Sequence, residues 1–385
     1  MTLYLRYYMI LVLALVSGLG LLYGGRGLWL PLAITIGTLV GGDSLLGDYF
    51  DHPEYRRPRL LEVPLFLALP VLMLLFFALA LALGPSGTDL FGVGHRIGAV
   101  TGYDFFAGRA LTTTADLIGT IFGMGFLVTG MAINTGHELT HQIHSKPHML
   151  CGRWLLSMAA IPEFAIEHVY GHHAHLGTDR DPATARRGDN VYGFFLRSTI
   201  GGHLSAWRIE TARLRRLGKG RLTADNRMLR GYLMTAVWPV LFFLAAGLQG
   251  ALVWAGIALF SRFVLEVVNY MEHYGLVRDP GRPVAPWHSW NSNAAMSDMI
   301  LFSLTRHSAH HEKGTTRYWD LQAYRDMPTL PFGYLTTIFI CLVPPLWWRV
   351  MHPRLDAWEE RYPRRLRSWR RLRWIYRRRS TIRRS

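Results

Sequence analysis

A membrane-crossing helix needs about 20 predominantly apolar residues, and the hydrophobic positions of this chain fall into blocks of that order. Four fill the first third, at 8–23, 28–46, 60–83 and 111–135, and two more follow at 231–246 and 251–268. Gln249-Gly250 predicts a tight turn between the last two. The first block, preceded by Arg6, has the look of a signal peptide. No small-x-small cleavage site follows it and another apolar block comes at once, so it reads as a membrane helix. A seventh stretch, Phe332 to Val350, is interrupted by Pro344-Pro345 and rich in Trp, which predicts an interfacial or re-entrant element. The expected fold is an all-α membrane protein with six transmembrane helices.

Between these blocks the polar residues are unevenly placed. Arg56, Arg57 and Arg59 follow the second block, a run from Arg153 to Arg216 separates the fourth from the fifth, and most other arginines follow the sixth. The alternate loops carry only Arg26, Arg96 and Arg109. The positive-inside rule then puts both termini in the cytoplasm, with a helical cytoplasmic cap made of 136–230 and 269–350 on a membrane domain spanning 1–350. The remaining 351–385 form an Arg-rich tail. From residue 353 onward it holds thirteen Arg against Asp356, Glu359 and Glu360, most of the chain's formal +16. Such a tail suits anionic lipid or an acidic partner protein, and nothing else in the chain suggests nucleic acid. Only 18% of the residues are charged, against about 25% in soluble domains. The two cysteines, Cys151 and Cys341, lie far apart with no CxxC pair. That excludes a disulfide scaffold, a zinc ribbon or a rubredoxin-type iron site within the chain.

The candidate chemistry lies in 17 histidines. His137 and His141, in Asn134-Thr-Gly-His-Glu-Leu-Thr-His141, end the fourth block, and their i, i+4 spacing puts both imidazoles on one helical face. His168 and His172, in Glu167-His-Val-Tyr-Gly-His-His173, repeat that spacing, while His173 stands about 100° further round the helix, toward a second centre. His307, His310 and His311, in Arg306-His-Ser-Ala-His-His311, share one face at i, i+3, i+4. His273 stands singly in Asn269-Tyr-Met-Glu-His-Tyr-Gly275 at the end of the sixth block. Neutral imidazole is the commonest ligand for borderline metals, and nine exceed what one ion takes, so two ions are expected. Ligation by nitrogen with little carboxylate favours iron over magnesium or calcium.

The other eight histidines do not share this spacing. His52, His95, His203 and His352 stand alone, and His144, His148 and His175 are only neighbours in sequence. His288, in Trp287-His-Ser-Trp-Asn-Ser-Asn293, suits a support behind the site or a loop anchor. A rival motif is present: His137-Glu138-Leu139-Thr140-His141 matches the H-E-x-x-H of zinc metalloproteases, with Glu138 as base. A protease site needs one further ligand and leaves the other clusters unexplained. A catalytically inert metal-binding membrane protein is the other alternative of a different class.

The pattern H-x3-H, H-x3-H-H and H-x2-H-H in a multi-span chain resembles the membrane diiron superfamily of desaturases, hydroxylases and monooxygenases. Asn134-Thr-Gly-His-Glu-Leu139, Asp181-Pro-Ala-Thr-Ala-Arg186, Asn269-Tyr-Met-Glu-His-Tyr-Gly-Leu276 and Trp287-His-Ser-Trp-Asn-Ser-Asn293 resemble the integral-membrane alkane hydroxylases and the related xylene monooxygenase hydroxylase subunits. Leu330-Pro-Phe-Gly-Tyr334 is a weaker match, and the resemblance extends to Tyr362. Gln142, Thr305 and Ala309 depart from the alkane hydroxylase pattern. Leu5-Arg-Tyr-Tyr8 and Pro344-Pro-Leu-Trp347 look closer to the xylene enzymes. These departures bear on the substrate and leave all nine histidines in place.

The resemblance implies two non-haem iron ions on the nine histidines and O2-dependent terminal hydroxylation of medium- or long-chain n-alkanes to primary alcohols. Methyl-arene oxygenation is the nearest alternative. A membrane fatty-acyl desaturase or hydroxylase comes next, with His273-Tyr274-Gly275 weighing against it. It also implies a bacterial inner-membrane location and alkane arriving from the bilayer. Electrons are expected from rubredoxin with its reductase and NAD(P)H, or from a ferredoxin-type reductase as in the xylene enzymes. Glu138, Glu167 and Glu272, beside the ligands, are candidates to orient imidazoles by accepting their second N–H. Thr35 matches the position where a bulky aromatic closes the far end of the alkane hydroxylases' channel, so a small residue there implies room for a longer chain. Asp43 and Asp116, at span edges, are costly unless paired.

Overall fold

A computed structural model describes residues 2–361; beyond Arg361 the Arg-rich tail lies outside the described residues. Every regular element among them is helical, and extended pairing is confined to isolated bridges at Asp48–Ala294 and Asn291–Thr329. Leu3–Tyr23, Gly25–Leu46, Arg59–Leu83 and Thr114–Thr140 are each long and apolar enough to cross a membrane. The protein is a multi-pass membrane protein.

The fifth and sixth blocks form one helical run of 47 residues, Arg227–His273, which would measure about 70 Å if straight. Both of its ends nevertheless lie at one end of the bundle. Met228 packs with Ile166, two residues from His168, and His273 Nε2 lies 3.3 Å from His307 Nε2. The run therefore doubles back. Ala246 (φ −138°, ψ 18°) and Gly247 (φ 60°, ψ −156°) leave the helix, and the positive φ needs the glycine. This places the turn at 246–247 rather than at the expected Gln249-Gly250. Gly250 instead permits close packing beside the turn: a Cβ there would come within 2.6 Å of both Ala246 Cβ and the Phe242 carbonyl oxygen.

The last apolar stretch bends by 118° between Tyr334–Cys341 and Pro344–Arg361, as two prolines without amide donors require. Both ends of the described chain meet the His-bearing end of the bundle. The Tyr7 hydroxyl lies 3.1 Å from Ser303 Oγ, and that of Tyr274 lies 2.9 Å from His352 Nε2.

Aromatic edges hold the spans together. Phe76 meets Trp238 and Phe242 edge-on, with centroids 5.6 and 5.4 Å apart, and Phe260 meets Phe122 and Phe126 in the same way. Such pairs contribute about 0.5–1.5 kcal/mol beyond their buried area. Both span-edge carboxylates are paired. Asp116 closes a capping box with Thr113 and accepts from Trp29 Nε1 at 3.0 Å. Asp43 accepts from the Ser297 amide at 2.8 Å and ties 42–46 to 295–300. The Lys146–Met158 helix packs glycine to glycine on the segment bearing the first histidines. A Cβ on Gly136 would lie 3.1 Å from the Gly152 carbonyl oxygen, and one on Gly152 would lie 3.0 Å from Leu139 Cβ.

Candidate metal centre

Four separate segments bring the nine histidines together: Thr135–Thr140 with His141, the 164–175 turn, the C-terminus of Arg227–His273, and His307–Glu312. Their Nε2 atoms converge as two groups. His137, His141, His168, His173 and His310 form one, and His172, His273 and His311 the other, with His307 and Glu272 completing it beside His273. In the first group His137 Nε2 lies 3.0 Å from that of His310 and 3.1 Å from that of His141. His173 Nε2 lies 3.1 Å from those of both His168 and His310. An imidazole Nε2 carries one hydrogen or one lone pair, so five such atoms support at most two hydrogen bonds where the geometry presents four contacts. A cation accepts all five lone pairs. The donor set therefore fits a nitrogen-loving metal ion in each group.

This division corrects two expectations about spacing. His168 and His172 do not share a centre; His168 pairs with His173, and His172 faces the second group. Residues 168–172 form a π-helical turn, whose i→i+5 hydrogen bonding brings residues five apart into line. Thr129–Asn134, just before the first pair, is π-helical as well. His307, His310 and His311 do not serve one face either. His307 and His311 meet at 2.9 Å in the second group, while His310 turns to the first, so this short helix bridges the two. It is aimed by a strained turn, with Phe302 and Ser303 at φ 50° and 52°, a conformation costing about 1–3 kcal/mol per non-glycine residue. Arg306 anchors it, with Nε 2.9 Å from Asp298 Oδ1 and Nη1 donating to the Leu321 carbonyl.

Burial keeps most of these rings neutral, the form that ligates metals. It pushes His141 down to about 3 and holds His168, His173, His307, His310 and His311 well below the ordinary histidine range. His172 is the exception: burial opposes its charge, but the carboxylates of Asp181, Glu167 and Glu272 together outweigh burial and raise it. Asp181 Oδ2 stands 3.0 Å from His172 Nδ1. It is itself held by the Thr184 hydroxyl at 2.7 Å, while the Ala183 amide donates to Oδ1 at 3.0 Å.

Asp181 thus performs the orienting task expected of the glutamates. Its sequence signal was the Asp181–Arg186 stretch, nine residues past His172. Glu272 sits elsewhere than expected: its Oε2 lies 3.2 Å from His307 Nε2, the converging nitrogen, and it accepts from the Tyr334 hydroxyl. It is a candidate ligand rather than an orienting base. Glu138 is buried and accepts from the Tyr318 amide at 3.4 Å. Glu167 is buried, and burial followed by Asp181 pushes its carboxyl up to about 8. His288 anchors its own loop, accepting from the Ala285 amide at 3.0 Å and packing on Trp287.

Comparison with known proteins agrees with this architecture. The fatty acid desaturase family matches residues 112–340. The chain is 39% identical over 248 residues to alkane 1-monooxygenase 2 of Alcanivorax borkumensis, covering 63% of this chain and 65% of that protein. It is 33% identical over 339 residues to alkane 1-monooxygenase 1 of the same organism, covering 86% and 77%. The chain belongs to the alkane 1-monooxygenase family. It is also 29% identical over 364 residues to the xylene/toluene monooxygenase hydroxylase component of Pseudomonas putida, covering 93% and 90%.

In this family member a narrow apolar cavity of about 110 Å³ runs among the spans to the histidines. Thr35, Leu39, Phe126, Ile133 and Val264 line it, and His137, His168, His307 and Glu272 border it. The Thr35 hydroxyl is turned back onto the Pro31 carbonyl at 2.9 Å, which leaves its methyl as the part free to meet an apolar guest.

Proposed function

We propose that the protein hydroxylates the terminal carbon of n-alkanes with O2 at a pair of iron ions held by His137, His141, His168, His173 and His310 on one side and His172, His273, His307 and His311 on the other. The observation that carries this reading is the convergence of nine imidazoles, all but His173 buried, where an apolar cavity ends. When bound, the metal pair supplies O2 activation and the oxidising power to break an unactivated C–H bond. The balance is R–CH3 + O2 + 2 e⁻ + 2 H⁺ giving R–CH2OH and H2O.

The chain's own residues do the rest. The cavity walls bind the alkane by removing its surface from water, worth about 0.8 kcal/mol per CH2. Their tight lining orients one terminal methyl toward the histidines and excludes bulk water. Asp181 holds His172 by its Nδ1 hydrogen and raises its basicity as a ligand. Thr35 sets the room at one position of the wall, favouring medium and long chains. Rubredoxin, recharged by its reductase and NAD(P)H, delivers the electrons from the cytoplasm. Both termini lie there, with the protein in a bacterial inner membrane.

Metal analysis of detergent-purified protein, followed by turnover of a medium-chain alkane with rubredoxin, reductase and NADH, tests the reading. Two irons per chain and a primary alcohol are expected. One zinc and no iron would overturn it. Methyl-arene hydroxylation is the second reading, favoured by the alignment over 90% of the xylene/toluene component; two irons with xylene turnover but no alkane turnover would establish it instead.

A further inference from the structure

The Val191–Arg216 helix belongs to no candidate span, yet it carries an exposed apolar stripe. Tyr192, Leu196, Ile200 and Leu204 recur every fourth residue and are 51%, 60%, 59% and 49% exposed. Contacts at the edge of the stripe and beside it fix where it points. Phe195 packs edge-on against Phe263 of the sixth block, and His203 stacks on Tyr232 of the fifth. The Tyr192 hydroxyl donates to the Leu342 carbonyl of the bent element at 2.7 Å. The helix therefore lies across the ends of the spans. At 100° per residue, the stripe sits between its span-facing side and the side bearing Arg197, Gly201, Ser205 and Arg208.

That last side opens into a cleft of about 570 Å³. Five arginines line it, among them Arg180, Arg208 and Arg278, against the two carboxylates Asp179 and Asp181. Asp179 pairs with Arg186 of the same wall at 2.9 Å, Arg197 pairs with Asp189 at 2.7 Å, and Asp181 turns away to His172 at 3.0 Å. Arg278 is buried and donates to the backbone carbonyls of Leu176 and Ala174 at 2.8 and 2.9 Å. Arg180 and Arg208 have no ion-pair partner among the described residues. Leu204 belongs both to the stripe and to the cleft wall.

We propose that this cleft binds the phosphodiester head group of an anionic phospholipid, with an acyl chain lying along Leu204, Ile200 and Leu196. Guanidinium groups match phosphate oxygens in geometry and charge, and an in-plane helix with one apolar and one basic flank is the form that seats at a bilayer surface. A soluble acidic protein would use the arginines but would gain nothing from an adjoining apolar track continuous with the spans. Asp181 of the cleft wall also holds His172, but the lipid site does not rest on the oxidation reaction.

Native mass spectrometry of the full chain, exchanged into detergent with equal phosphatidylglycerol and phosphatidylcholine, tests the idea. The wild type is expected to retain phosphatidylglycerol selectively. Retention should fall about fivefold for each of Arg180→Gln and Arg208→Gln, survive in Arg208→Lys, and fall in Ile200→Ser/Leu204→Ser. Unchanged metal content and elution volume identify variants that fold. Equal retention of the two lipids in the wild type would overturn the proposal. So would sensitivity to the arginines without sensitivity to Ile200 and Leu204, which would mark a site for a free anion if glycerol phosphate competes, or for an acidic protein if it does not.

Discussion

Asp181 Oδ2 and His172 Nδ1 face each other at 3.0 Å, both side chains out of contact with water. A carboxylate behind a metal-binding imidazole fixes its tautomer and its direction. Asp181→Asn keeps the volume but removes the charge. It is expected to cut metal affinity or turnover by about 10- to 100-fold, read as metal per chain after dialysis against a chelator and as initial rate.

The two-group arrangement predicts a split response to ligand removal. His141→Ala should lower retention of one ion of the pair and His311→Ala that of the other, because the two rings stand in different groups. Metal analysis of each variant should show about half the wild-type content, since a structural site that loses a ligand loses much of its affinity. His288→Ala, outside both groups, should keep the full complement.

Thr35 lines the apolar cavity. Thr35→Phe fills part of it, so turnover of long chains should fall while shorter ones are retained. Product profiles from an equimolar mixture of n-alkanes of increasing length check this directly.

Gly152 lets the Lys146–Met158 helix approach the segment carrying His137 and His141. A larger side chain there meets Thr140 and Leu139. Gly152→Leu should destabilise by about 1–3 kcal/mol through overpacking and displace the two histidines together, seen as a lower thermal midpoint accompanied by metal loss.

Glu210 ties the Val191–Arg216 helix to the start of the Arg227–His273 run. It accepts from Arg213 Nη2 at 2.7 Å and Arg227 Nε at 2.8 Å. Burial alone would raise its carboxyl, but Arg213 and Arg227 hold it down to about 2. A depressed carboxyl stabilises the fold fully above its unfolded value near 4.5, and that contribution disappears as the pH falls from there through 2. Thermal midpoints of the wild type and Glu210→Gln should differ most at neutral pH and converge toward pH 3.

Much of this was legible in the sequence. Apolar blocks of span length are set by the thickness of a bilayer, and histidine spacing by the helical repeat, so both can be counted. What could not be counted was anything that breaks the repeat. The pairing of His168 with His173 depends on one π-helical turn, which no residue type announces, and the bridging role of His310 follows from where the strained turn at Phe302 and Ser303 aims its helix. The turn at Ala246-Gly247 fell three residues from the expected place because Gly250 looked like the breaker but serves close packing. Asp181 was visible as part of a motif, but its role was hidden because its partner is reached through the fold of the 172–181 loop.

The histidines of the first group are drawn from residues as early as 137 and as late as 310, and those of the second from 172 to 311. During synthesis neither ring of donors can close until the last helix of the set has left the ribosome. Once complete, each group ties together segments far apart in the chain, so a bound metal would cross-link spans that packing has already brought side by side.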